Sequence, residues 1–88
     1  MRKLTVENAA ATLGLMGVSL AWAADFEAFR VAPIGADDFH AEYVPDLAGA
    51  YAEGLEMAST VAHTAASYAR AFHVDATAAR AAALATFR

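Results

Sequence analysis

Apolar side chains recur every three or four residues over the second half of the chain, which is the spacing of one face of a helix. Polar residues from Glu53 to Arg70 follow the opposite side of this repeat, as on an amphipathic helix. The pattern predicts a long helix over about residues 45–72, with Pro45 in its first turn or, if the helix begins nearer Asp38, at a kink. The apolar positions are Leu47, Tyr51, Leu55, Ala58, Val61, Ala62, Ala65, Tyr68, Ala69 and Phe72.

The end of this helix has two interpretations. No glycine or proline follows Gly54, so the helix can continue to about residue 87. Alternatively, Asp75 can cap a short third helix after a break at residues 73–74. The sequence leaves both alternatives open.

A weaker helical pattern covers the first third of the chain. Thr5 is a suitable N-cap, because its hydroxyl can accept a hydrogen bond from a backbone N–H of the first turn. Large apolar residues then share one face with alanines and glycines, which predicts a helix over about residues 7–30. Pro33 and Gly35 end this helix and begin a turn over about residues 31–44.

Two helices joined by one turn predict an all-α fold, an antiparallel helical hairpin forming a single domain over residues 1–88. Both helices carry ladders of small residues that allow close backbone approach. Glycine inside a helix costs up to about 1 kcal/mol relative to alanine. Gly14, Gly17 and Gly54 are therefore predicted contact points. The ladders are Ala10, Gly14, Gly17, Ala21 and Ala24, and Ala50, Gly54, Ala58, Ala62, Ala66 and Ala69.

The composition favours association with a second chain. A chain of 88 residues buries little surface as a monomer, and the absence of cysteine excludes disulfides as a source of stability. The chain is 59% hydrophobic, but much of that fraction is alanine, which buries little area. We therefore expect a homo- or heterodimer with another helical-hairpin protein, packed as a four-helix bundle.

The predicted interface combines the small-residue ladders with large apolar side chains. Trp22 and Phe26 lie one turn apart on the first predicted helix, away from its other apolar residues, so a hairpin cannot cover both sides. The interface residues are Leu13, Met16, Gly17, Leu20, Trp22, Phe26, Tyr51, Gly54, Ala58, Val61, Tyr68 and Phe72.

The charge of the chain argues against one class of partner. The formal net charge is −4, and no basic stripe is present to neutralise phosphates, so we expect no nucleic-acid binding. Acidic residues concentrate in the middle of the sequence, which is predicted to be a recognition surface. They are Asp37, Asp38, Glu42, Asp46, Glu53 and Glu56.

Two clusters could in principle carry chemistry. Glu56, Ser59 and His63, with Ser67 one turn further, resemble a nucleophile with its base, but they belong to the polar side of the predicted helix. Asp37, Asp38, His40 and Glu42 could ligate a cation, yet they lack a histidine pair or a calcium-loop pattern. We therefore predict no catalytic residue, no cofactor and no metal.

The segment "GLMGVSLAWAADFEAF" at residues 14–29 has a second interpretation. It follows a basic start, and Ala23 precedes Ala24 as in a signal-peptide cleavage site. Glu7 interrupts that pattern, and the uncharged stretch that follows is short of the roughly 20 residues that span a bilayer. We expect no stable membrane span and predict that the segment is retained. Removal of residues 1–23 on Sec export is the alternative.

The layout resembles the small helical-hairpin proteins of type VII (ESX) secretion, the WXG-like superfamily. The similarity spans nearly the whole chain and includes "LTVEN", "PIGADDFHAEYVPDL" and "AASYARAFHVDATAA". Gly35 matches the glycine of the family's Trp-x-Gly turn, whereas Pro33 stands in the position of the tryptophan. The family's export signal would begin at Tyr68, where Phe72 occupies the acidic position and Asp75 comes three residues late.

The resemblance implies a non-catalytic partner or adaptor protein, cytoplasmic before export and then secreted or associated with the cell surface. Its partners would be another hairpin protein and the secretion machinery. A second hypothesis is the Sec-exported protein described above. A third is a small immunity or antitoxin-like protein that neutralises a toxin through the acidic middle of the chain.

Overall fold

The first helix is shorter than expected. In the computed structural model, which describes residues 3–88, α1 covers Val6–Leu15 and begins where the Thr5 hydroxyl accepts a hydrogen bond from the Asn8 N–H at 3.1 Å. Gly17 follows with φ +87, a backbone conformation that glycine adopts without strain. The chain then continues as a strand, so the helix predicted over residues 7–30 is wrong.

Three strands occupy the region predicted to be the end of a helix and a turn. They are β1 (Val18–Ala23), β2 (Ala28–Pro33) and β3 (Glu42–Val44), paired antiparallel in the order β1-β2-β3. A short 3-10 turn, Ala24–Phe26, joins β1 to β2, and another, Asp38–His40, lies between β2 and β3. The fold is therefore α+β, and the all-α helical hairpin and four-helix bundle are corrected.

Strand register explains why this segment is not helical. Leu20 lies opposite Val31, and Trp22 lies opposite Phe29, so large residues two apart share one face of the sheet. Alanine or serine occupies the alternate positions of β1. This alternation has the period of a strand, but the many alanines also satisfy a helical pattern.

The second half of the chain is helical. α2 covers Leu47–Phe72 and α3 covers Ala76–Ala85. Asp46 caps α2, so Pro45 precedes the helix instead of lying in its first turn. His73 ends α2 with φ 54, and the Asp75 carboxylate accepts a hydrogen bond from the Ala78 N–H at 2.8 Å. The long helix therefore does not continue to residue 87; it ends at a break that is followed by a third helix.

The core lies between one face of the sheet and helices α1 and α2, while α3 packs against α2. Within residues 3–88, seven of the twelve buried hydrophobic residues are alanines, so the core is thin. The largest fully buried side chains are Leu13, Val18, Val31 and Val61.

Two helical glycines differ in their surroundings. A Cβ added to Gly54 would lie 2.5 Å from Leu13 Cδ1, so this glycine allows α1 and α2 to approach closely. A Cβ added to Gly14 would have no neighbour within 4 Å, so the contact predicted there is wrong. Gly17 serves as the turn between α1 and β1 and not as a position inside a helix.

Candidate functional site

An exposed apolar surface lies at the end of the sheet where β1 turns into β2. Two aromatic pairs lie there, one on each face of the sheet, and we call the four residues the aromatic tip: Trp22, Phe26, Phe29 and Tyr43. The rings of Trp22 and Phe29 are edge to face, with centroids 5.0 Å apart. The rings of Phe26 and Tyr43 are stacked, with centroids 4.3 Å apart. Trp22 is 53% exposed and Phe26 is 63% exposed.

The aromatic tip covers both faces of the sheet. Trp22 pairs with Phe29, which pairs with Val44 of β3, so these residues share the face that packs against the helices. Tyr43 pairs with Arg30 on the opposite face, and Phe26 stacks on it there. A partner that contacts this end of the sheet therefore meets aromatic rings from two directions.

The tip adjoins an accessible part of a strand edge. The Gly17 C=O accepts a hydrogen bond from the Ile34 N–H at 2.9 Å. In an antiparallel pair of strands, hydrogen-bonded and non-hydrogen-bonded residue pairs alternate, so the backbone N–H and C=O groups of Leu20 and Trp22 point away from β2. Leu20 is buried, so the accessible edge lies at Trp22. β1 contains no charged residue and no proline, the usual protections of an edge strand.

The structure separates the predicted interface residues into two groups. Six of them are buried inside the chain itself: Leu13, Gly17, Leu20, Gly54, Ala58 and Val61. Tyr51 is half-buried. Those that are exposed are Met16, Trp22, Phe26, Tyr68 and Phe72. Gly35 lies in a turn with φ +81.

The serine and histidine cluster of the second helix lies at the surface, and Ser59 also lines the apolar groove described below. Glu56, Ser59 and His63 are all exposed on α2, and Ser67 is exposed one turn further. Ser67 Oγ lies 3.4 Å from an Arg70 nitrogen, which is a weak surface contact. This geometry supplies neither an oriented base nor a water-excluding pocket for acyl transfer.

The acidic turn is held together by contacts within the chain. Asp37 accepts a hydrogen bond from the Phe39 N–H at 3.1 Å, and Asp38 forms a 3.0 Å ion pair with Arg30. The His40 ring packs edge-on against the rings of Phe39 and Phe87. Nowhere in residues 3–88 do three histidine or carboxylate side chains come together in a group that could hold a metal ion.

An apolar groove of about 510 Å³ lies where the end of α1 meets α2 and α3. It is a second candidate site. Among residues 3–88, its one charged lining residue is Arg80, whose guanidinium donates a hydrogen bond to the Leu15 carbonyl at the end of α1. The groove is lined by Met16, Leu55, Ala58, Ser59, Val61, Ala62, Ala65, Ala76 and Arg80.

The sequence predicts part of these sites. The size and position of Trp22 and Phe26 place them among the predicted interface residues, whereas Phe29, Tyr43 and Arg80 are not among them. Phe29 and Tyr43 join the tip through strand register, which no local pattern specifies, whereas a lone arginine in the alanine-rich α3 is a signal for Arg80.

No helix within residues 3–88 is both long and apolar enough to cross a bilayer. Comparisons of the chain with protein-family models, with curated proteins and with solved structures found no match.

Proposed function

We propose that this protein is a non-catalytic protein–protein interaction module that docks through the aromatic tip. One observation carries the proposal: Trp22 and Phe26 are more than half exposed, yet each is held by a second ring. Exposed apolar patches mark interaction sites, and tryptophan is enriched at binding hot spots.

The contacts between the rings reduce the loss of conformational entropy on binding. A side chain that is already packed loses less conformational freedom when a partner covers it. Trp22 is supported by Phe29, and Phe26 is supported by Tyr43, so both exposed rings are preorganised. This arrangement favours specific docking over non-specific adhesion.

A second copy of the chain is the partner that fits this end of the sheet. A two-fold axis perpendicular to the sheet would bring the Trp22 edges of two copies together in antiparallel orientation. Only a short part of β1 is accessible, so the aromatic side chains would supply most of the contact and the backbone would supply register. The thin core of the single chain also favours such an association.

The role in type VII secretion stays a prediction. The resemblance rested on a helical hairpin, which this chain does not form, so pairing with another hairpin protein is not part of the proposal. Sec export and an immunity role also stay predictions, as does secretion or surface localisation. The interaction through the aromatic tip is compatible with the type VII and immunity roles, whereas Sec export that removes residues 1–23 would remove Trp22 from the tip.

The experiment is sedimentation velocity over a concentration series, with variants Trp22→Ala and Phe26→Ala. The wild type is expected to form dimers, and each variant is expected to weaken the dimer by about 30-fold or more, the usual effect of truncating a hot-spot residue. Phe39→Ala is the control, because Phe39 is 88% exposed but lies beyond the other end of β2.

Two results would contradict the proposal. One is a wild-type protein that stays monomeric across the series. The other is a Phe39→Ala variant that dissociates as readily as the two tip variants, since that would indicate general surface stickiness. Circular dichroism of each variant verifies that it is folded.

A further inference from the structure

The groove at the end of α1 shares no residue with the aromatic tip and is not used by the proposed function. Its walls are mainly alanine, methionine and leucine, and its volume of about 510 Å³ lies in the range of small-molecule sites, about 300–1,000 Å³. α1 ends at Leu15, and Met16 forms the adjacent part of the wall. The groove therefore has room for an aliphatic chain.

Arg80 gives the groove a charged end. It is half-buried, and its bond to the Leu15 carbonyl occupies one of the five N–H donors of a guanidinium. Within residues 3–88, the one ion pair joins Arg30 to Asp38, so no carboxylate of that range neutralises Arg80. No acidic residue lines the groove either. A positive charge beside an apolar wall is complementary to an anionic group with an apolar tail.

We propose that this groove binds an unbranched aliphatic carboxylate, a medium-chain fatty acid, with its carboxylate on Arg80 and its chain along Ala62 and Ala65. The planar guanidinium suits a carboxylate because it can donate two parallel hydrogen bonds. The small side chains of α2 leave the space that the methylene groups occupy. Ser59 supplies one further hydroxyl on the groove wall.

The test is calorimetric titration of the full chain with hexanoate, octanoate and decanoate, each below its micelle concentration. Affinity is expected to rise about three- to fourfold for each methylene added, which is the effect of burying that group. Decanol, which has the chain without the charge, is expected to bind at least about tenfold more weakly than decanoate.

Two pairs of variants locate the site. Arg80→Gln removes the charge and is expected to weaken decanoate by about 10- to 100-fold, whereas Arg70→Gln on the exposed side of α2 leaves binding unchanged. Ala62→Phe fills the groove and abolishes binding without altering Arg80. Ala52→Phe is its control, because Ala52 is exposed on the same helix and does not line the groove.

The proposal fails if decanoate does not bind the wild type, or if decanol binds equally well. It also fails if Ala62→Phe binds like the wild type, or if Ala52→Phe loses binding to the same extent. Because Arg80 also bonds to α1, Ala62→Phe gives the decisive result if Arg80→Gln does not fold.

Discussion

The space around a residue decides how a substitution affects stability, as two glycines show. Gly54 and Gly14 both lie inside helices, yet a methyl group at Gly54 would meet the buried Leu13 side chain and one at Gly14 would meet nothing. Leu13 is fully buried, so its side chain has little room to move away. The same substitution is therefore expected to have opposite effects at the two positions.

Gly54→Ala is expected to destabilise the protein by about 1–3 kcal/mol, because overpacking at Leu13 outweighs the gain in helix propensity. Gly14→Ala is expected to stabilise it by up to about 1 kcal/mol, since it gains propensity without a clash. Urea denaturation of both variants measures the difference. Equal shifts in the same direction would contradict the packing at Gly54.

The Arg30 and Asp38 ion pair is expected to contribute little. Its arginine side chain is 27% exposed and its aspartate side chain is 84% exposed, so water screens the attraction. Asp38→Asn should change the free energy of unfolding by less than about 1 kcal/mol. Thermal melts at low and high salt measure this effect, and a loss well above that value would mean that the acidic turn is structurally essential.

At the scale of elements, the helices were easier to predict than the strands. α2 has a long repeat of large apolar residues, and Asp75 is a recognisable cap, so the sequence carries both features locally. The sequence predicts a helix over β1 and the start of β2 because alanine fits either periodicity. The pairing of Leu20 with Val31 across the β1–β2 hairpin decides the matter, and this cross-strand packing overrides local propensity.

The two candidate sites also combine features that the local sequence indicates with features that depend on the folded structure. The sequence indicates that Trp22 and Phe26 are apolar residues which the predicted hairpin cannot cover. Their contacts with the Phe29 and Tyr43 rings, however, depend on strand register. The groove could not be predicted, because it exists only where three helices meet around Arg80.

α3 depends on its N-cap, since it is only ten residues long and isolated helices of that length are marginal. Asp75→Ala is expected to cost about 1 kcal/mol and to lower the protection of the amides of α3 from hydrogen exchange. The amides of α2 near Gly54 should change much less. Thr77→Ala, an exposed change in the same turn, is the control. Unchanged protection in Asp75→Ala would contradict the capping role.

The whole molecule is flat, with extents of 41 × 33 × 15 Å and a radius of gyration of 13.5 Å. A compact chain of this length has a radius of gyration of about 12 Å. The flatness follows from a single layer of helices on a single sheet. A flat molecule exposes much surface relative to the volume of its core, so the small core must stabilise the whole fold. The sheet and α1 are therefore expected to be indispensable to that core.

A chain that begins at Ala24 is expected to be unfolded. Residues 1–23 supply four of the seven buried members of the core cluster: Ala9, Leu13, Val18 and Leu20. A chain that ends at Asp75 retains all seven and is expected to fold with reduced stability. Circular dichroism and thermal melts of the two truncations compare them. A cooperative melt of the first truncation would contradict this account of the core.

The position of Trp22 gives unfolding a separate optical signal at the sheet. It is the single tryptophan of the sequence and lies against Phe29, far along the chain from α2 and α3. Its emission therefore follows the separation of the strands, whereas circular dichroism at helical wavelengths follows mainly α2 and α3. If the thin core couples the two layers, both signals will give one urea midpoint; if the layers separate independently, the midpoints will differ and unfolding will not be two-state.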